Sequence, residues 1–230
     1  MNGYISAIAE QFEMRVSSKL MAMHGAFTDL CVKADPAALM STSITSGGEA
    51  KHIEDAADVV IPEWNKFFIA SHEGFDITDV ASGIASVHPE FTQEFFQMKK
   101  SPEGEDAVFV LMMTVPPVNK ERHDVLIKSV DACLEAFNAS VDYANAAAEV
   151  KMAPFLIGAS KEDKDAAKEL LSTRGDELKK QAADAAAAKK KEIDEAHQKY
   201  LEENKDKLSE LEEIKQAANP EAATNMKFED

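Results

Sequence analysis

The residue types that most often carry chemistry are scattered along this sequence. Its six histidines show none of the short spacings with which proteins ligate a metal ion, and no glycine-rich phosphate loop, nucleophile triad or catalytic carboxylate pair is present. We therefore expect neither an enzyme nor a bound cofactor or metal. Cys31 and Cys133 both fall near apolar stripes, so they are either buried small hydrophobic residues or a redox pair between neighbouring helices.

Two charged runs could bind a charged ligand. The three lysines at 189–191 form the strongest basic cluster and could contact phosphate or an acidic partner. Alternatively, they pair with Glu192, Asp194 and Glu195 at helical spacing and form an ordinary solvated face. The acidic run at 103–106 is either a solvated turn or a weak calcium site.

Composition limits the classes of function. The chain has 230 residues, 45% of them apolar, and its 42 acidic against 25 basic residues give a net charge of −17. Such a chain can bury a core but repels phosphate backbones at long range. No apolar run approaches 18 residues, so we expect no membrane span. The first 33 residues carry three acids and three bases, unlike a signal or transit peptide, so an organellar protein would be present here as a processed chain.

Three long amphipathic helices are predicted to provide the frame. The first covers residues 3–32 and ends before Asp35-Pro36, because the residue before a proline avoids the helical region. The second follows Pro116-Pro117 with Asn119 as its N-cap and breaks near residues 154–158. The third opens with a capping box at Ser160 and runs to residues 219–220.

The segment between the first two helices has a different pattern. Short β-branched or aromatic runs at 58–61, 66–70 and 108–115 predict strands, the stretches 77–85 and 90–98 predict short helices, and 41–48 is a small polar stretch with a Gly47-Gly48 turn. The predicted fold class is α+β. A discontinuous three-helix bundle (1–33 and 117–215) is interrupted by a small α/β, β-rich domain (34–116) and followed by a flexible acidic tail (216–230).

Four motifs occur in order along these elements. An Ala-x-Pro-x-x-Leu segment at 34–39 ends the first helix, and Gly48 is followed by a hydrophobic segment from Ile53 to Val59. Val115-Pro116-Pro117 then leads to Glu121-Arg122, and an acidic capping segment at 160–163 opens the third helix. In this order and spacing, over roughly residues 5–200, the sequence resembles the ribosome recycling factor family.

That resemblance implies an L-shaped, tRNA-sized protein of two domains. Members of the family bind the large ribosomal subunit after termination, and with elongation factor G and GTP they split the ribosome for reuse without covalent chemistry. Their bundle contacts ribosomal RNA through arginines on the first two helices, in keeping with the electrostatics of phosphate recognition.

The sequence departs from the family at these arginines. The positions that match the family's RNA contacts are Leu30, Lys33, Arg122, Asp142, Asn145 and Ala146. Only one basic residue remains at the end of the first helix, and no arginine occurs between His123 and Glu169. Because aspartate repels the phosphate that an arginine would bind bidentately, this pattern argues against direct nucleic-acid binding.

We therefore expect a family member that acts through protein partners, as an interaction or structural subunit of an organellar assembly. The partner would be the large ribosomal subunit or a non-ribosomal complex. The alternative is an active translation factor that splits post-termination ribosomes with elongation factor G. The expected compartment is an organellar matrix or stroma, with the mitochondrion favoured over a bacterial-type cytoplasm. Residues that could form a protein-interaction surface, or else pack internally, are Phe91, Phe95, Phe96, Leu208 and Leu211.

Overall fold

The computed structural model describes residues 3–99, 107–207 and 209. The elements are, in chain order, α1 (Gly3–Asp29), α2 (Pro36–Leu39), β1 (Ser43–Ser46), β2 (Glu49–His52), α3 (Ile53–Ala56), β3 (Ala57–Glu63), β4 (Lys66–Ser71), α4 (Ile77–Val87), β5 (Thr92–Lys99), β6 (Ala107–Thr114), α5 (Lys120–Met152), a short 3-10 helix (Ala153–Leu156) and α6 (Lys161–Glu203). The α+β prediction is confirmed. None of the described helices is long and apolar enough to cross a membrane.

Helices α1, α5 and α6 pack together as a bundle around the predicted apolar stripes. Phe12, Val16, Phe137, Val141 and Ile193 are among the buried residues of this core. Asn119 caps α5 by accepting a hydrogen bond from the Arg122 amide, and Ser160 caps α6 by accepting one from Asp163. These caps stabilise the helix starts because their side-chain oxygens accept hydrogen bonds from first-turn amides that have no acceptor within the helix.

A four-stranded antiparallel sheet in the order β3-β4-β6-β5 forms the centre of the inserted segment. Helix α4 covers one face of this sheet, where Ile84, Phe67 and Leu111 are fully buried. The three strands predicted at 58–61, 66–70 and 108–115 and the helix predicted at 77–85 are present.

A hairpin of β1 and β2 overlaps the stretch 41–48, which was predicted to be small and polar with a Gly47-Gly48 turn. Its two-residue turn is Gly47-Gly48, with φ angles of +59° and +87°, which glycine adopts without steric cost. The flanking strands are short and mostly polar, so the sequence carries little strand signal. Only Ile44 of β1 is fully buried, and it packs beneath α4.

The prediction of a helix over 90–98 was wrong, because this segment is the strand β5. Its apolar residues at 91, 95, 96 and 98 mimic helical spacing. Continuous pairing with β6 over eight residues, from Thr92 to Lys99, determines the structure instead. Edge strands exposed on both faces lose the two-residue alternation that identifies a strand.

Candidate functional site

The six predicted RNA-contact positions separate into two groups. Leu30, Lys33 and Arg122 lie at the junction where the chain passes between the bundle and the inserted segment. Asp142, Asn145 and Ala146 lie about twenty residues further along α5, which corresponds to roughly 30 Å at the rise of an α-helix.

Arg122 joins the two chain connections at the junction. Its Nη2 donates to the Cys31 carbonyl at 2.6 Å, and its Nη1 donates to the Pro116 carbonyl. Cys31 lies in the connection that leaves α1, and Pro116 lies in the connection that returns to α5. One planar guanidinium therefore holds both connections, a geometry for which its fixed fork of donors is suited.

The surroundings of Arg122 are unfavourable for phosphate. The cleft beside it has a volume of about 750 Å³ and is lined by the carboxylates of Asp29, Glu90 and Glu121. Burial lowers the pKa of Arg122, and the charge of Glu90 opposes that shift. An arginine remains charged under these conditions, but three nearby carboxylates would repel an anionic ligand.

The end of α1 offers no free cation either. Leu30 is partly buried and packs against the bundle core. Lys33 Nζ lies 3.4 Å from Glu192 Oε1, and Lys189 Nζ lies 2.9 Å from the other oxygen of the same carboxylate. The one basic side chain of this motif, Lys33, is therefore paired with a carboxylate of α6, which also pairs with Lys189.

The three positions on α5 present no positive charge. Asp142 is exposed and forms an ion pair with Lys179 of α6, with an O–N distance of 2.5 Å. The Asn145 side-chain oxygen is buried and has no hydrogen-bond partner within the described part of the chain, and Ala146 is exposed. Arg15 of α1 lies over the ring of the neighbouring Tyr143, with its guanidinium carbon 5.6 Å from the ring centroid.

The basic cluster at 189–191 is neutralised by carboxylates. Lys189 pairs with Glu192, and Lys191 pairs with Glu195 at 3.6 Å, as expected for a solvated helix face. Lys190 instead reaches Asp131 on α5 at 2.6 Å. The cluster therefore joins helices and balances acidic residues within the bundle.

His88 is a buried titratable group that the sequence did not single out. It is 1% exposed, and its Nε2 lies 3.0 Å from the Ala38 carbonyl while its Nδ1 lies 3.3 Å from Glu90. Burial opposes protonation, but the Glu90 carboxylate and the Ala38 carbonyl outweigh it and raise the pKa of His88. Because both ring nitrogens face acceptors, the doubly protonated ring fits this site.

The aromatic residues that were predicted as an interaction surface divide into two kinds. Phe91 is 5% exposed and stacks on His88 at a centroid distance of 4.5 Å, so of its two predicted roles it has the internal one, in the core of the inserted segment. Phe95 and Phe96 are exposed on β5, at 49% and 43%. Leu208 and Leu211 lie outside the described residues.

The sequence profile of the ribosome recycling factor family matches residues 27–213, which is most of the chain. The protein belongs to the ribosome recycling factor family. No curated protein sequence is significantly similar to it.

Two solved structures share the fold of this family member. A solution structure of the ribosome recycling factor matches with a TM-score of 0.64 and 18% identity, covering 84% of this chain and 98% of that one. A model of the T. thermophilus ribosome recycling factor, placed with E. coli elongation factor G on the E. coli post-termination complex, matches with a TM-score of 0.50 and 17% identity over 82% and 98% of the two chains. The predicted family and fold are thus confirmed.

The remaining reactive groups of this family member are structural in character. Burial raises the pKa of the Cys31 thiol to about 12, which disfavours the reactive thiolate. Cys31 packs in the core of the inserted segment, whereas Cys133 is half-buried against the bundle core. Within the described ranges, no group of three or more histidine, cysteine or acidic residues could hold a metal ion.

Proposed function

We propose that this member of the ribosome recycling factor family acts through protein surfaces, as an interaction or structural subunit of a larger assembly, and does not grip ribosomal RNA. The observation that carries the proposal is the Asp142–Lys179 ion pair, because it occupies the α5 motif where the family places arginines. At this motif the Asp142 side chain is exposed and pairs with Lys179 of α6. No catalytic role is part of the proposal.

Three cations of α6 support this proposal because they pair with carboxylates of neighbouring helices. Arg174 of α6 pairs with Glu13 of α1, and Lys179 and Lys190 of α6 pair with Asp142 and Asp131 of α5. Such exposed pairs contribute little stability, about 0–1 kcal/mol each. Their larger effect is on the surface potential, since a paired lysine offers less attraction to a phosphate backbone.

An organellar compartment fits a duplicated copy of the family. A protein without the RNA contacts can persist only where another copy recycles ribosomes, and this condition favours a mitochondrial paralogue in a matrix over a bacterial-type cytoplasm. The net charge of −17 is compatible with an assembly partner that is basic or neutral rather than a nucleic acid.

The alternative is an active translation factor, and the retained fold favours it. The family profile spans both the bundle and the inserted sheet, so neither part has been lost. In that case, contacts with elongation factor G or with ribosomal proteins would replace the missing RNA contacts.

A ribosome-splitting assay separates the two functions. Post-termination ribosomes from the protein's own compartment are mixed with the cognate elongation factor G, GTP and the protein, and subunit dissociation is followed by light scattering. The proposed function predicts no acceleration above the reaction without the protein. Splitting at the rate given by a ribosome recycling factor with the arginine motifs would establish the alternative and overturn the proposal.

A further inference from the structure

A cleft opens beside Arg122, at the junction between the bundle and the inserted segment. Its walls come from the end of α1, the end of α4 with the segment that follows it, and the first turns of α5. Its volume of about 750 Å³ lies within the range of roughly 300–1,000 Å³ that is typical of ligand sites. This junction cleft is lined by apolar and acidic side chains, among them Val87, Val125, Glu90 and Glu121.

Part of the lining of the junction cleft is apolar. It includes Leu30 of α1, Val125 of α5, and Val87 and Pro89 at the end of α4. Val125 is 62% exposed, although its neighbour Leu126 is buried in the bundle core. Water therefore contacts apolar surface here that an apolar side chain of a ligand could cover, with a gain proportional to the area removed from water.

Three carboxylates from three different segments line the same cleft. Asp29 belongs to α1, Glu90 to the connection between α4 and β5, and Glu121 to the first turn of α5. Asp29 accepts a hydrogen bond from the neutral Ser41 hydroxyl, which leaves its negative charge in place. Glu121 is exposed and forms no ion pair within the described ranges. The cleft therefore combines apolar surface with negative charge.

The cations beside these carboxylates do not cancel their charge. Arg122 is the basic residue of the lining, and both of its terminal nitrogens donate to main-chain carbonyls. His88 Nδ1 lies 3.3 Å from the Glu90 carboxylate. Even with His88 protonated, three negative charges stand against two positive ones, beside an inserted segment with 14 acidic and four basic residues. The junction cleft therefore attracts cations and repels phosphate.

The placement of the carboxylates favours a cationic chain over a single ion. All three lie within the described ranges, where no group of three or more acidic, histidine or cysteine residues could hold a metal ion. The carboxylates therefore do not converge on one point. Successive cationic side chains of a peptide can pair with separate carboxylates, and apolar side chains of the same peptide can cover the apolar lining.

We propose that the junction cleft binds a basic segment of a protein partner, whose arginine or lysine side chains pair with the three carboxylates while its apolar side chains cover Val87 and Val125. The inference rests on the proposed function, because it names one surface, and the partner chemistry, through which such a subunit would act. Arginine suits the site best, since its guanidinium binds carboxylates bidentately and its alkyl stem packs on apolar surface.

A synthetic peptide provides the probe. A fluorescein-labelled hexapeptide that alternates leucine and arginine is titrated with the full chain, and fluorescence anisotropy measures its affinity from about 0.05 M to about 0.5 M salt. We expect saturable binding that weakens at least about tenfold over this range, because salt screens the attraction between the charges. A peptide with glutamate in place of arginine should not bind. One with serine in place of leucine should bind at least about threefold more weakly, because it covers less apolar surface.

Matched variants assign the binding to the junction cleft. Glu121→Gln removes one carboxylate and should weaken binding about fivefold, as expected for one ion pair in contact with water. Glu135→Gln removes the same charge fourteen residues further along α5, about 21 Å away and outside the cleft, and should leave the affinity unchanged. Val125→Ser should weaken binding about threefold, whereas Val150→Ser, near the other end of α5, should not. All four side chains are exposed, so each variant should retain the fold.

The peptide titration decides this inference, and the ribosome-splitting assay decides the proposed function. Absence of saturable binding would overturn the inference, and so would equal affinity for the glutamate or the serine peptide. Equal losses in Glu121→Gln and Glu135→Gln would also overturn it, because the peptide would then bind the acidic surface at large. If the protein neither splits ribosomes nor binds the peptide, the role of the junction cleft fails while the proposed function stands.

Discussion

Arg122 illustrates how a residue's partners decide its role. In the sequence it matches a family position associated with RNA, and in the fold its guanidinium donates to the carbonyls of Cys31 and Pro116. These two carbonyls lie in the only two connections between α1, α5 and the inserted segment, within the described chain. The side chain therefore serves the junction between the two parts of the molecule.

Replacing Arg122 by alanine should lower the free energy of unfolding by about 2–4 kcal/mol, because two carbonyls lose a charged donor. Arg122→Lys should recover only part of this loss, since one ammonium group cannot reproduce the planar fork. Denaturant unfolding measures the effect, with Lys120→Ala as the control, because Lys120 is exposed on the same helical turn. Equal stability of the Arg122 and Lys120 variants would contradict this role.

His88 should give the protein a pH-dependent stability. Because its folded pKa is raised above 6.5, its contribution is fully present below about pH 6.5 and is lost as the pH rises through the folded pKa. Glu90 affects stability at the acidic end of the pH range. Burial opposes the shift, but the His88 hydrogen bond lowers the pKa of Glu90, so its contribution to the unfolding free energy is lost as the pH falls through its folded pKa.

The variant His88→Gln should therefore flatten the decline in unfolding free energy above pH 6.5. Urea unfolding at a series of pH values measures this slope. His123→Gln is the comparison variant. The Asp194 carboxylate raises the pKa of His123 at the α5–α6 contact, so this histidine should make a separate contribution to the pH dependence of the unfolding free energy. An unchanged slope in His88→Gln would show that the buried ring is neutral.

At the scale of elements, the sequence predicted the long helices well because their signals are local and repeated. The apolar stripe of α1 and the caps Asn119 and Ser160 all have their predicted roles. Strand β5 and the hairpin β1–β2 were missed because long-range pairing, which leaves little trace in a single sequence, determines them. The positions of the candidate site were predictable from the family motifs, but their ion-pair partners on α6 were not.

The contact between α4 and β1 gives an element-scale prediction. A Cβ at Gly83 would lie 2.6 Å from Ile44 Cδ1 and 2.9 Å from the Ser43 carbonyl, so Gly83→Ala must displace the hairpin and should destabilise the protein by about 1–3 kcal/mol. Gly25→Ala is the control, since nothing lies within 4 Å of a Cβ there and alanine should stabilise α1 by up to about 1 kcal/mol. Thermal and denaturant unfolding of both variants measure the difference. Similar effects of the two substitutions would contradict the packing.

At the scale of the whole molecule, the proposed function rests on the distribution of charge. The inserted segment is strongly acidic, and ion pairs between helices engage bundle cations such as Arg174, Lys179 and Lys190. The fold is that of the ribosome recycling factor family, whereas the three matching positions on α5 are Asp142, Asn145 and Ala146, which are acidic or neutral. The central claim is that the shape is retained without the electrostatic contacts to RNA.

The most direct test is co-sedimentation of the protein with large ribosomal subunits from its own compartment across a range of salt concentrations. We expect weak binding with a shallow salt dependence. The variant D142R/N145R/A146R should bind more tightly, with a slope of log K against log salt steeper by about 2–3. E162R/E169R, which adds the same charge at two exposed positions of α6, should gain less. Tight binding of the unchanged protein with a steep salt slope would contradict the central claim.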